Sequence, residues 1–212
     1  MKTKNSCNTL DEYFKKLTEE TQPSYYVQDI ADKKTSNIEC LFILESPHVD
    51  EIRARKPLMG SAGKYISAFF NLGEKPFGDY EQLSDKKIGI MNVSNIPLKP
   101  IEGENADDVA KIKDELEKHR ENNQINETLF SFFTEKIKKY TKVKTYVVCG
   151  TFAEKYFDKY VKSDNAKVCL NAFYDEKINI LKVPHPSYGH WQFIDKHKDN
   201  LDRLRKIFAE LK

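Results

Sequence analysis

At 212 residues, with 35 basic against 33 acidic side chains and a net charge of +2, the chain suffices for one domain and is too evenly charged to hold nucleic acid by overall charge. Any nucleic-acid partner must be met by a local basic patch. No apolar run approaches ~18 residues and no signal-like segment follows Met1, so no membrane association and a cytoplasmic location are expected.

Taken in chain order, residues 10–19 read as a short surface helix, part of an N-terminal extension (1–37) packed on a single domain spanning 1–212. A buried strand over 38–44 stops at Glu45, Ser46, Pro47 and His48, since Pro47 has no N–H to continue a sheet. Gly60 and Gly63 then permit close backbone approach before a helix carrying Tyr65, Ile66, Phe69 and Phe70 on one stripe. A second strand, 88–93, carries Asn92 and leads to Asn95. Two amphipathic helices follow, one with Val109, Ile112 and Leu116, the other with Ile125, Leu129, Phe132, Phe133, Ile137 and Tyr140. A third strand at 145–149 runs into a helix capped by Thr151, and 167–173 is a weaker strand candidate. A fourth, 178–183, ends in Pro184, His185, Pro186 and Ser187, before a last helix opened by Asp199 or Asn200. This alternation predicts a three-layer α/β/α sandwich around a central, mostly parallel four-stranded sheet.

In a parallel sheet the four strand ends share one edge, where open α/β sheets bind ligands. Glu45, Asn92 and His185 are thereby candidates to meet: a carboxylate to stabilise positive charge or position water, an amide to read a polar ring edge, an imidazole to donate to a developing anion. Together they suit expulsion of a base-like leaving group. Ser46, beside Glu45, is placed to hold a water. Cys7, Cys40, Cys149 and Cys169 are scattered without a CxxC pair, so neither zinc nor an iron-sulfur cluster, and no other cofactor, is expected. GSAGK at 60–64 has the wrong spacing for a phosphate loop and Tyr65 where Ser or Thr would hold magnesium.

These residues carry a resemblance to the uracil-DNA glycosylase superfamily, nearest to the branch whose first motif reads Gly-Glu-Ala-Pro-Gly and which usually holds an iron-sulfur cluster. Glu45 and Pro47 match that motif's Glu and Pro without a gap, and Glu51, Pro57, Gly60, Ala62 and Gly63 fall on later positions of the same branch. IMNVSNIPLKP places Asn92 at the base-reading asparagine and Lys99-Pro100 near a basic-Pro pair. YVVCGTFAEKYF, 146–157, is similar to its strand-Gly-helix segment, and HPSYGHW, from His185, to its His-Pro-Ser motif. The resemblance spans 38–193. It implies a monofunctional, metal-free DNA glycosylase of base excision repair that removes uracil or a related deaminated or damaged base from DNA, single or double stranded. Glu45 would activate water or stabilise the sugar cation, His185 would bond the leaving base, and Asn92 would pair with its edge. Pro47, Glu51 and Gly60 would line the base pocket. The target base must leave the stack, with Tyr188, His190 and Trp191 as wedge candidates (Tyr188 and Trp191 reading equally as core or rim aromatics), Ser187 as a phosphate contact, and Arg53 and Lys64 as basic neighbours. A monomer is expected.

Three positions depart from the pattern. Leu44 replaces the glycine that opens the motif. Leu58 stands where the branch stacks a phenylalanine on the base, with Phe69, Phe70 or Phe77 as substitutes. His48 follows Pro47, where another branch has a tyrosine gate, and is expected to gate the pocket or to titrate in catalysis. Leu44 and Leu58 support the alternative of a glycosylase-like protein that binds nucleic acid or a nucleotide without catalysis; a hydrolase of free nucleosides is a third reading. Taken alone, Glu45 reads equally as a helix cap or a partner of Arg53 or Arg55.

Overall fold

The structure is a computed structural model that describes residues 9–15, 25–30, 37–80, 83, 87–101, 106–122, 124–163, 178–188, 191 and 195–211. Four strands, β1 (Cys40–Leu44), β2 (Ile88–Asn92), β3 (Thr145–Cys149) and β4 (Asn179–Val183), form one all-parallel sheet in the order β2-β1-β3-β4. Every residue of the first three is buried, because helices cover both faces and leave no polar side to the sheet. The weaker candidate at 167–173 lies outside the described residues.

Seven helices are described: α1 (Leu10–Lys15), α2 (Val49–Ala54), α3 (Ser61–Phe69), α4 (Ala106–Glu121), α5 (Glu127–Ile137), α6 (Gly150–Lys162) and α7 (Lys198–Glu210). The period-2 alternation of the strands divides the core into two layers. Leu41, Ile43, Met91, Tyr146 and Val148 pack with α1, α4, α5 and α6 on one face. Phe42, Leu44, Ile88, Ile90, Val147 and Leu181 pack with α3 and α7 on the other. This is the expected three-layer sandwich. No described helix is long and apolar enough to cross a membrane.

Several local expectations are revised. α1 is not a surface helix: Leu10, Tyr13 and Phe14 are buried in the core, and the Tyr13 hydroxyl donates to the Pro97 carbonyl. Residues 25–30 run along the outer edge of β2, where Ile30 bridges Ile90 in antiparallel sense and Val27 N–H donates to the Asn95 carbonyl at 2.9 Å. That covering satisfies edge groups that would otherwise be open to pairing. α6 starts at Gly150 itself, directly on the end of β3, so Thr151 lies inside the first turn and is not its cap. α2 was not legible as a helix.

Register aligns Leu44 with Asn92 and Cys149 with Val183, so all four strand ends fall along one edge. The connections leave β1 for β2 on one side and reach β3 and β4 on the other. A switch point therefore opens between β1 and β3, where such sheets form a crevice.

Candidate active site

A cleft of about 280 Å³ occupies that crevice. Glu45, Ser46, Pro47 and His48 enter it from the end of β1, Asn92 from the end of β2, Gly150 and Thr151 from the end of β3, and His185 and Ser187 from the segment after β4. The carboxylate, the amide and the imidazole thus line one pocket, although 140 residues separate the first from the last.

Backbone contacts hold the first two in place. Val93 N–H donates to the Leu44 carbonyl at 2.8 Å and Ser94 N–H to that of Glu45 at 3.0 Å, extending the β1–β2 ladder past the strand ends. Asn92 is 2% exposed, and its Nδ2 is a buried donor with no partner among the described residues. An unsatisfied buried amide costs about 1–3 kcal/mol. At a cleft wall, that cost is recovered when a ligand presents an acceptor.

The protonation of His185 follows from its neighbours. Ser187 N–H donates to Nδ1 at 3.3 Å and the Ser187 hydroxyl lies 2.7 Å from the same atom, so Nδ1 is an acceptor and the ring proton sits on Nε2. Burial holds the imidazole below the usual histidine range; the Glu45 carboxylate acts in the opposite sense and the Lys99 ammonium adds to the depression. The ring is therefore a neutral N–H donor at pH 7. Gly150, at φ +86°, packs beneath it, and a Cβ there would stand 2.9 Å from the Cβ of His185. Only glycine permits both that backbone angle and that approach.

Glu51 staples the loop that follows β1. Its carboxylate accepts from His48 N–H and, at 3.0 Å, from Leu58 N–H, closing the N-terminus of α2. Leu58 is held at φ +56°, a conformation costing about 1–3 kcal/mol for a residue with a Cβ. Gly63 and Gly78 make room for that bend, since a Cβ on either would fall within 2 Å of the carbonyl oxygen of Leu58 or Pro57. Burial pushes the Glu51 carboxyl up to about 7 against its two N–H donors, with Asp50 adding to the rise. Because this folded value lies above the unfolded one, the stabilisation is complete below about 4.5 and is lost as pH rises through about 7. It amounts to roughly 3 kcal/mol. Urea melts at pH 5 and pH 8 should show the stability of Glu51→Gln rising relative to the wild type by about that amount at the higher pH; a constant gap would contradict the assignment.

The remaining site candidates divide. His48 is exposed at the mouth of the cleft, and Gly60 lines it, facing Asp50. Leu58 is a correction: it is 0% exposed and packs into the sheet's second layer, because the left-handed bend turns it inward. Phe69, Phe70 and Phe77 are buried in the same layer. Among the described residues, Phe152 is the aromatic residue that lines the cleft instead. Sequence reading missed it because, at the first turn of α6, it looks like one more core position. Trp191 is also corrected: it is 2% exposed, donates from Nε1 to the Pro184 carbonyl at 3.1 Å and packs edge-on against Phe69 at 5.3 Å, so it is core and not a wedge. Tyr188 closes the short turn Pro186–Tyr188, and His190 lies outside the described residues. Ser187 orients His185, a role beyond the expected phosphate contact. Arg53 and Lys64 are exposed on α2 and α3, while Arg55 donates to the Tyr26 carbonyl at 3.1 Å. Glu51, and not Glu45, caps α2. Lys99 and Asp50 join the lining.

Cys40 and Cys149 are buried in the sheet, and burial pushes the Cys40 thiol up to about 12 and Cys149 higher. Cluster ligands must be thiolates, so these two do not fit an iron-sulfur centre; Cys7 and Cys169 lie outside the described residues. Among the described residues no three His, Cys, Asp or Glu side chains are grouped to hold a metal ion.

Fold and site together define an α/β/α domain with a small cleft at its switch point that is lined by an acid, an amide and an imidazole. A family model described as Uracil DNA glycosylase superfamily matches residues 33–212, and the chain belongs to that superfamily. No curated protein matches it.

Proposed function

We propose that the protein is a monofunctional DNA glycosylase that hydrolyses the N-glycosidic bond of uracil or a related deaminated or damaged base, leaving an abasic site for base excision repair. The observation that carries this reading is the meeting of Glu45, Asn92 and His185 in one cleft. At about 280 Å³ the cleft falls just under the ~300–1,000 Å³ of drug-sized sites, which suits one base with its sugar and requires that base to leave the duplex stack.

Each group has a place in the reaction. As the bond between C1′ and the base nitrogen breaks, its electron pair moves onto the base and charge gathers on the ring carbonyl. The Nε2–H of His185 and the Nδ2 of Asn92 donate to carbonyl oxygens that carry that charge. One such preorganised donor is worth about 2.7–4 kcal/mol in the transition state. The Glu45 carboxylate stabilises the sugar cation and orients the water whose oxygen bonds to C1′; the water's proton ends on the carboxylate or the departing base. Phe152 offers the base a ring on the cleft wall, and Lys99, Arg53 and Lys64 offer charge to the flanking phosphates.

A second reading, binding without catalysis, is favoured by one observation: Leu44, in place of the motif's glycine, contributes to the cleft wall. Release of free base from single- and double-stranded oligonucleotides carrying uracil, hypoxanthine or xanthine separates the two. Turnover on any of them supports the glycosylase; retention of every base with measurable binding supports the second reading.

A further inference from the structure

Asn92 ends β2 at the outer edge of the described sheet, where its peptide groups need partners other than β1. Its N–H donates to Asp29 Oδ1 at 3.1 Å, and its carbonyl accepts from the Lys136 ammonium. Those two side chains meet each other, with Lys136 Nζ 3.1 Å from Asp29 Oδ2. Asn95 closes the cluster: its Nδ2 donates to Asp29 Oδ1 at 2.9 Å and to the Val27 carbonyl at 2.7 Å, and its Oδ1 accepts from Lys136 at 2.6 Å. The three donors of the ammonium reach three oxygens. The Asp29 side chain is only 5% exposed.

A buried ion pair is a weak source of stability, because apolar groups of equal volume often do as well. What it supplies is direction. Here both charges act on the backbone of one residue, and that residue lines the cleft and carries a buried amide whose Nδ2 has no partner among the described residues. Fixing the N–H and the carbonyl on either side of one Cα fixes the vector along which its side chain leaves. We infer that Asp29 and Lys136 are positioning residues, which hold the Asn92 amide toward the cleft by gripping the peptide groups on both sides of it. The inference rests on the reading of Asn92 as the contact to the base. It assigns a function to residues 25–30, which come from the N-terminal extension and do not themselves line the cleft.

The test combines activity and spectroscopy. Asp29→Asn, which keeps the shape, and Lys136→Met, which keeps the length, are made in the wild type and in Asn92→Ala. In the wild-type background each should slow single-turnover base release by about 10²-fold with KM nearly unchanged, as a misplaced contact does. In Asn92→Ala neither should matter by more than about twofold, because the group they act through is gone. Equal losses in both backgrounds, or full activity in the folded variants, overturn the proposal. Independently of turnover, the side-chain amide protons of Asn92, assigned by their absence from Asn92→Ala, should give one sharp pair in the wild type and broadened or multiple signals in the two variants. Unchanged signals overturn it as well. A wild type that releases no base counts against the glycosylase reading alone, and the amide signals then decide this one.

Discussion

Glu45→Gln is expected to slow single-turnover release of base by about 10²- to 10⁴-fold while leaving affinity for the oligonucleotide within about threefold. The split follows from the position of the carboxylate. Its backbone is locked into the extended β1–β2 ladder, so the near-isosteric substitution keeps the cleft's shape and removes the charge. That charge opposes a positive centre that exists in the transition state and not in the bound substrate, and a contact of this kind appears in the rate and not in binding. The same substitution has a second signature. Glu45 raises the pKa of His185, so its removal should lower the imidazole titration further, which is measurable from the ring proton shifts. A Glu45→Gln variant that retains full rate would remove the acid from the mechanism.

His185→Ala is expected to cost about 10²- to 10³-fold in rate, the loss typical of one preorganised donor. The pH dependence is the sharper part of the prediction. With Nδ1 accepting from Ser187 and burial holding the ring neutral, the donor is Nε2–H of a neutral imidazole, and the rate should stay level from pH 6.5 to pH 8. A general acid in the ordinary histidine range would instead lose activity over that interval. The profile should be repeated in Glu51→Gln, which removes the group titrating at about 7. A rate that falls as one proton is lost in both proteins would contradict the neutral donor.

What could be read from the sequence, and what could not, has a consistent physical basis. The first three strands were legible to within two residues because a strand covered on both faces is an unbroken apolar run, as at 40–44. The strand ends bearing Glu45, Asn92 and His185 were legible for the same reason: polar residues interrupt those runs where the sheet meets solvent. α2 was not, since a six-residue helix has too little period to show, and it exists through the Glu51 bonds to His48 and Leu58. The inward turn of Leu58 depends on Gly63 and Gly78, which meet it only in three dimensions. Trp191 reads equally as wedge or core, because a lone Trp after a His-Pro-Ser segment is ambiguous; packing against Phe69 resolves it. Asp29 carries no periodic signal at all. Its role arises from Lys136, 107 positions later, and no local pattern announces such a partner.

Three side chains acting on one extruded base carry the proposed chemistry, and the structure of Glu45→Gln bound to a uracil-containing oligonucleotide tests that most directly. It should show the base out of the stack and inside the cleft, with its carbonyl oxygens about 3 Å from Asn92 Nδ2 and His185 Nε2. A base that remains stacked, or that binds on another face with the cleft empty, would contradict it.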